Sequence, residues 1–217
     1  MTADADRCIR LRRPPVLSVI DDPFVPDGVD IDEVDARWES LQKSNPAFFD
    51  GRALHVLGVH RNGCGGATIN LVECAYRFYA VQCDDFDCGV RPLGVKGITM
   101  HGDRVLFGQR AGWVHQYPGV WEFAPGGGVE PGRDPVDVLL GELAEETGCS
   151  STGQPVAVAL LMDEVTRCWE LVYRLQVEDE KLSPGTDEYQ DLRWCPLNEV
   201  PGPLSSIAER MQSLLEH

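Results

Sequence analysis

The sequence predicts a layered α/β (α+β) protein. Three observations carry that reading. Segments rich in β-branched and aromatic residues alternate with segments whose apolar residues recur at helical spacing. A glycine-rich stretch, Gly126-Gly127-Gly128, leads into a helix that has its own start and stop signals. Hydrophobic residues make up 43% of the 217, enough to bury a sizeable core.

The elements follow in order. The first thirty residues are rich in Pro and Asp, and Val16–Ile20 is a short apolar run that reads as a strand. Residues 30–43 read as a helix, with Ile31, Val34, Trp38 and Leu41 at helical spacing, ended by Asn45-Pro46. Residues 54–59 and 69–81 read as strands. The Gly-rich stretch 62–66 between them lacks the Lys-Ser/Thr ending of a phosphate-binding loop, so it reads as a hairpin turn. Residues 93–100 and 104–110 read as a second hairpin turned at Gly102 and Asp103. Trp121-Glu122-Phe123 is a short strand, 134–147 a helix, and 156–162, 168–177 and 191–195 strands. A last helix opens at Pro203 or Leu204 and runs to about Leu215.

Charge narrows the partners. Thirty-five acids against 19 bases leave −16, with −5 in residues 1–91 and −11 in 92–217. Such a chain is a poor holder of nucleic acid by phosphate neutralisation, yet it can take a phosphorylated small molecule if a cation intervenes. The longest apolar run, 156–162, is too short to span a bilayer, and the acidic start from Met1 to Asp6 has no apolar signal region. Eight cysteines, none in C-x-x-C spacing, fit reduced thiols. A cytoplasmic protein without nucleic-acid or membrane partners is the expectation.

Residues 127–149 carry the chemistry. Asp134 is a good N-cap, Pro135 suits the first helical position, and Gly148 suits the helix stop. Glu142, Glu145 and Glu146 stand at i, i+3 and i+4 and share one helix face. Two readings are open. Either this is a solvated acidic face, or the repulsion among three carboxylates is relieved by a hard cation such as Mg²⁺ or Mn²⁺. The preceding glycines let a backbone approach that face closely.

These residues resemble the Nudix box, G-x5-E-x7-R-E-U-x-E-E-x-G-U with U a bulky aliphatic residue. Gly127, Glu142, Leu143, Glu145, Glu146 and Gly148 match in register, Cys149 takes the last position, and Trp121 to Gly127 look like the usual lead-in. Arg133 stands where the pattern has its first Glu, and Gly141 where it has Arg. The resemblance implies a Nudix α/β/α sandwich over 92–217, with 1–91 as an N-terminal α/β extension packed on it and shaping the substrate pocket. It implies metal-dependent hydrolysis of a nucleoside diphosphate derivative. Carried over position by position, Glu145 and Glu146 are metal ligands, Gly126 offers its carbonyl, and Glu142 is a ligand or the base that activates water. A cation there would neutralise the pyrophosphate and orient water for in-line attack.

Three further residues enter beside the box. Glu188 sits where many members place another catalytic Glu. Arg110 and Arg133 are candidates to hold substrate phosphate, and Tyr117, with Trp113 and His115, to stack on a base or sugar. Loop acid, rim ion pair and plain packing are the competing readings of these positions.

The first half adds a second resemblance. Trp38, then Asn45-Pro46, Phe48-Phe49-Asp50-Gly51, Tyr76-Arg77-Phe78-Tyr79 and Arg91-Pro92-Leu93-Gly94-Val95 occur in an order similar to the UDP-glucose/UDP-galactose pyrophosphatase branch, which also lacks the box Arg. It implies UMP and a sugar 1-phosphate as products. Hydrolysis of ADP-ribose or a similar diphosphate, and a non-catalytic ligand-binding protein, are the alternatives. A homodimer is the expected assembly.

Overall fold

The computed structural model describes residues 8–45 and 48–215. Pro46, expected to end the first helix, and the acidic start Met1 to Asp6 lie outside them. The elements are β1 (Cys8–Arg10), β2 (Val16–Ile20), α1 (Ile31–Ser44), β3 (Arg52–Arg61), β4 (Ala67–Ala75), α2 (Arg77–Ala80), β5 (Leu93–His101), β6 (Arg104–Arg110), β7 (Trp121–Phe123), β8 (Gly126–Gly128), α3 (Pro135–Thr147), β9 (Val156–Asp163), β10 (Cys168–Gln176), β11 (Tyr189–Pro196) and α4 (Ser206–Gln212).

The main sheet has eight strands in the order β1-β9-β10-β5-β6-β11, with β8 added on β5 and β7 on β6. β10 and β5 run parallel over Trp169–Leu93 to Gln176–Met100, and the other pairs are antiparallel. Alternation sorts its side chains. Leu93, Val95, Leu106, Leu160 and Leu171 join Val138, Leu139 and Leu143 of α3 in one core. Ile98, Val105, Phe107, Leu161 and Val172 join Ile207, Ala208 and Met211 of α4 in another. Successive residues of a strand point to opposite faces, so a sheet buried on both sides reads as near-continuous apolar runs with one helix layer per face. The mixed α+β layering expected from the sequence is therefore present.

A smaller sheet, β2-β4-β3, contributes Leu54, Val56, Ile69 and Leu71 to the core under α3. α1 and α2 close over its end, with Val34, Trp38 and Phe78 in one cluster with Val90. Asp30 caps α1 by accepting a hydrogen bond from the Asp32 N–H at 3.0 Å. The 62–66 turn is organised by the Asn62 side chain, which accepts from Cys64 and Gly66 N–H, with Gly63 and Gly65 at φ 75° and 83°.

Four local readings change. The strand expected through Val81 stops at Ala75, and the aromatic run that follows is the short helix α2, packed by Phe78 and Val81 into the α1 cluster. Tertiary packing overrides β-propensity there. The 93–110 hairpin is paired only at Met100–Val105 and His101–Arg104, because β8 and β7 take the remaining edges of β5 and β6. The glycine run 126–128, expected only as the lead-in to the helix, is itself strand β8. The last helix starts later, at Ser206 with Ser205 as its cap. Among the described residues no helix is long and apolar enough to cross a membrane.

Candidate active site

α3 delivers the carboxylates. The Asp134 side chain accepts from the Val136 N–H at 2.8 Å, Pro135 fills the first turn, and Gly148 ends the helix at φ 75°. Val138, Leu139 and Leu143 pack in the core beside the glutamates, which fixes the rotation of the helix, and Glu146, two turns after Leu139, points the same way. The glutamates then meet β8. Glu146 is buried, and its Oε2 accepts the Gly126 N–H at 3.0 Å. Glu142 lies against Gly127 so closely that a Cβ there would collide with its Oε1. Glu145 is exposed. A cavity of about 230 Å³ is lined by Gly128, Glu130, Arg133, Gly141, Glu142 and Glu145.

Electrostatics mark the two inner glutamates. Burial, then Glu145 and Glu188, push the Glu142 carboxyl up to about 7. Burial also pushes Glu146 up to about 8, against the pull of the Gly126 N–H and Lys96. Both shifts express the cost of holding negative charge here, which a bound cation would cancel. The donor set, hard carboxylate oxygens on one helix, is the kind that holds Mg²⁺ or Mn²⁺. Among the described residues no three His, Cys, Asp or Glu side chains already converge on one point. Holding one ion with Glu142, Glu145 and Glu146 therefore needs side-chain rotation, which the open cavity on that side permits. Such an ion would supply charge neutralisation and a polarised water.

The other expected residues fall in two groups. Arg110 and Glu188 come together: Arg110 Nη1 donates to Glu188 Oε2 at 3.1 Å, and its guanidinium stacks 5.4 Å from the Tyr189 ring. Glu188 is close enough to raise both Glu142 and Glu146. Arg133 is exposed at the cavity rim, 3.7 Å from Glu130. Tyr117 is not free: at φ 52° it packs by the α4 core, and its hydroxyl donates to Asp163 at 2.8 Å. Trp113 stays 65% exposed.

Sequence reasoning missed a charged layer beside the glycine strand. Lys96 Nζ donates to the buried Glu122 at 3.1 Å, and Arg110 Nε lies 3.8 Å from the same carboxylate. A Cβ at Gly126 would stand 3.0 Å from Lys96 Nζ. Burial alone would lower the Lys96 ammonium, but Glu122 and Glu170 outweigh it and hold it above its usual value. Glu170 is 8% exposed, and its Oε2 has no hydrogen-bond partner. Arg110 Nε and Tyr189 Oη are likewise buried and without a hydrogen-bond partner. The one sequence signal was a charge inside an apolar strand: Lys96 in β5, Glu122 in β7 and Glu170 in β10.

The N-terminal half reaches the loop beside this region through Tyr79. Tyr79 of α2 donates to the Thr166 carbonyl at 2.6 Å and accepts from Gln116 Nε2 at 2.6 Å. Gln116 belongs to the 111–120 loop that carries Trp113, His115 and Tyr117. That loop is thus tied to α2 on one side and to Asp163 on the other.

The profile of the NUDIX domain matches residues 90–217. Among solved structures, the chain is similar to the NUDIX domain of Shewanella oneidensis NrtR complexed with ADP ribose, at 20% identity over 62% of this chain and 92% of that one, TM-score 0.49. It is similar to a NUDIX hydrolase from Nitrosomonas europaea, at 18% identity over 62% and 84%, TM-score 0.48. It is also similar to a NUDIX-family hydrolase from Clostridium perfringens, at 17% identity over 58% and 95%, TM-score 0.46. No curated protein matches the chain.

Proposed function

The chain belongs to the Nudix family and is a pyrophosphohydrolase, and from that premise we propose that it cleaves UDP-sugars to UMP and a sugar 1-phosphate with the help of Mg²⁺ or Mn²⁺. The observation that carries the hydrolytic part is the α3–β8 contact, where Glu142 and Glu146 press against Gly126 and Gly127. Glu145 and Glu146 serve as metal ligands with Gly126, Glu142 as ligand or base, and Glu188 as a further catalytic carboxylate. Arg110 and Arg133 face the substrate phosphates, and Tyr117 shapes the pocket through its loop.

A pyrophosphate repels an incoming hydroxide, and the protein's own groups answer that in three ways. Glu142, Glu145 and Glu146, once turned toward one point, would hold a cation that supplies positive charge beside the pyrophosphate. Lys96 and Arg110 add fixed positive charge within the same layer. The buried setting keeps these charges poorly screened, which strengthens their effect on developing phosphate charge.

The uridine sugar rests on the segments from Trp38 to Val95 that resemble one branch of the family. It draws support from the Tyr79–Gln116 bond, through which that half reaches the loop of Trp113, His115 and Tyr117. Residues 1–91 then act as an extension of the 92–217 domain that sets one wall of the pocket. A panel of nucleoside diphosphate derivatives, assayed with Mg²⁺ or Mn²⁺ and with excess EDTA, tests the proposal. UDP-glucose or UDP-galactose should turn over faster than ADP-ribose at equal concentration, and EDTA should stop both. Faster ADP-ribose turnover overturns the substrate assignment while leaving pyrophosphohydrolysis intact.

A further inference from the structure

β2 is an edge strand whose outer side the described residues leave open. It pairs in parallel with β4 from Val16–Thr68 to Ile20–Val72, and no described strand lies on its other side. Val16, Val19 and Ile20 are 53%, 58% and 41% exposed, and only Leu17 packs on the core. Folded proteins usually guard such an edge with a lysine, a bulge or a covering loop, because its unpaired N–H and C=O groups template further pairing. β2 has none of these within it. It is instead framed by Pro14-Pro15 before and Pro23 after, which confines any added pairing to the short window between them.

The flanking charges select the occupant. Arg12 and Arg13 precede the strand, Asp21 and Asp22 follow it, all four are exposed, and none forms an ion pair with a described residue. We propose that β2 pairs antiparallel with β2 of a second copy of this chain, about a two-fold axis through Ser18. Val16 then faces the partner's Ile20, Leu17 faces the partner's Val19, and Ser18 faces its own counterpart. These are the β-branched and aliphatic cross-strand pairs that stabilise a sheet. Continuing the register brings Arg13 within one residue of the partner's Asp22, and the reverse pair forms at the other end of the same interface. A parallel arrangement would set arginine against arginine and aspartate against aspartate. In a chain already at −16 the antiparallel register is therefore the one that turns local attraction against overall repulsion.

Five residues a side is well below the 20–30 of a standard interface, so the dimer is weak and concentration-dependent. Sedimentation equilibrium of the full chain from about 1 μM to about 200 μM reads it. Mass should rise from the 24.0 kDa of one chain toward twice that value. Val19→Lys, at a position exposed in the single chain, should hold the protein monomeric without changing its melting temperature or its turnover. Arg13→Asp should weaken association at least tenfold, and Arg13→Asp with Asp22→Arg should restore it. A wild-type chain that stays monomeric over the range overturns the proposal. So does a dimer indifferent to Val19→Lys, or an Arg13→Asp defect that Asp22→Arg does not repair.

Discussion

Glu146 Oε2 accepts a hydrogen bond from the Gly126 backbone N–H at 3.0 Å, which ties the carboxylate face of α3 to the glycine strand β8. Glu146→Gln keeps the shape and can keep that bond through its amide oxygen. It removes the charge a cation needs. Turnover should fall more than tenfold, a barrier increase above about 1.4 kcal/mol. The metal-free variant should melt no lower than wild type, since a buried carboxyl that burial makes costly to ionise has been replaced by a neutral group. Steady-state kinetics and thermal melts of the same preparations check both halves.

Gly127→Ala should damage activity more than stability. The added methyl collides with Glu142 Oε1, Cδ and Cγ, so the whole side chain must turn away from β8. A loss of turnover with a small change in melting temperature is the expected pattern. Retention of wild-type turnover would remove Glu142 from the reaction.

Gly141→Ala should stabilise the protein. A Cβ at this position in α3 meets nothing within 4 Å, and alanine is favoured over glycine inside a helix by roughly 0.5–1 kcal/mol. Denaturant unfolding at constant slope measures the gain. The family pattern has arginine here, so the glycine reflects no packing demand.

Glu170 should make stability fall with rising pH. Burial lifts its carboxyl from 4.5 to about 7, with Lys96 pulling the other way. A folded-state value above the unfolded one gives stability that is complete below about 4.5 and lost as pH rises through about 7. Glu170→Gln removes this dependence. The unfolding free energy of the variant relative to wild type should therefore increase between pH 5 and pH 8, by an amount on the order of 3 kcal/mol at most. An unchanged difference across that range would show that Glu170 is ionised throughout.

Tyr79→Phe should alter substrate preference. It deletes the hydroxyl that links α2 to Gln116 and to the Thr166 carbonyl. If the N-terminal half positions the 111–120 loop, KM for UDP-glucose rises while EDTA sensitivity and the α3 chemistry stay the same. Equal KM values for the variant and wild type would detach the loop from selection.

By itself the sequence determined most of the elements and the spacing of the candidate carboxylates. Periodicity gave α1 and most strands, Asp134, Pro135 and Gly148 bounded α3 within a residue, and the spacing of Glu142, Glu145 and Glu146 put three carboxylates on one helix face. Each of these depends on local geometry, which residues a few positions apart fix among themselves. What the fold brought together from distant strands was not legible. Lys96, Glu122, Arg110 and Glu170 lie on four different strands and form one charged layer only because β5, β6, β7 and β10 pair as they do. The helical turn of Arg77–Ala80 and the strand of three glycines likewise contradict local propensity, since their conformations are set by the α1 cluster and by the edge of β5. Even the raised carboxyls of Glu142 and Glu146 are a tertiary result. Spacing along a helix makes three glutamates neighbours, but only burial against Gly126 and Gly127 makes their charge costly, because water is then excluded from the groups that would solvate it.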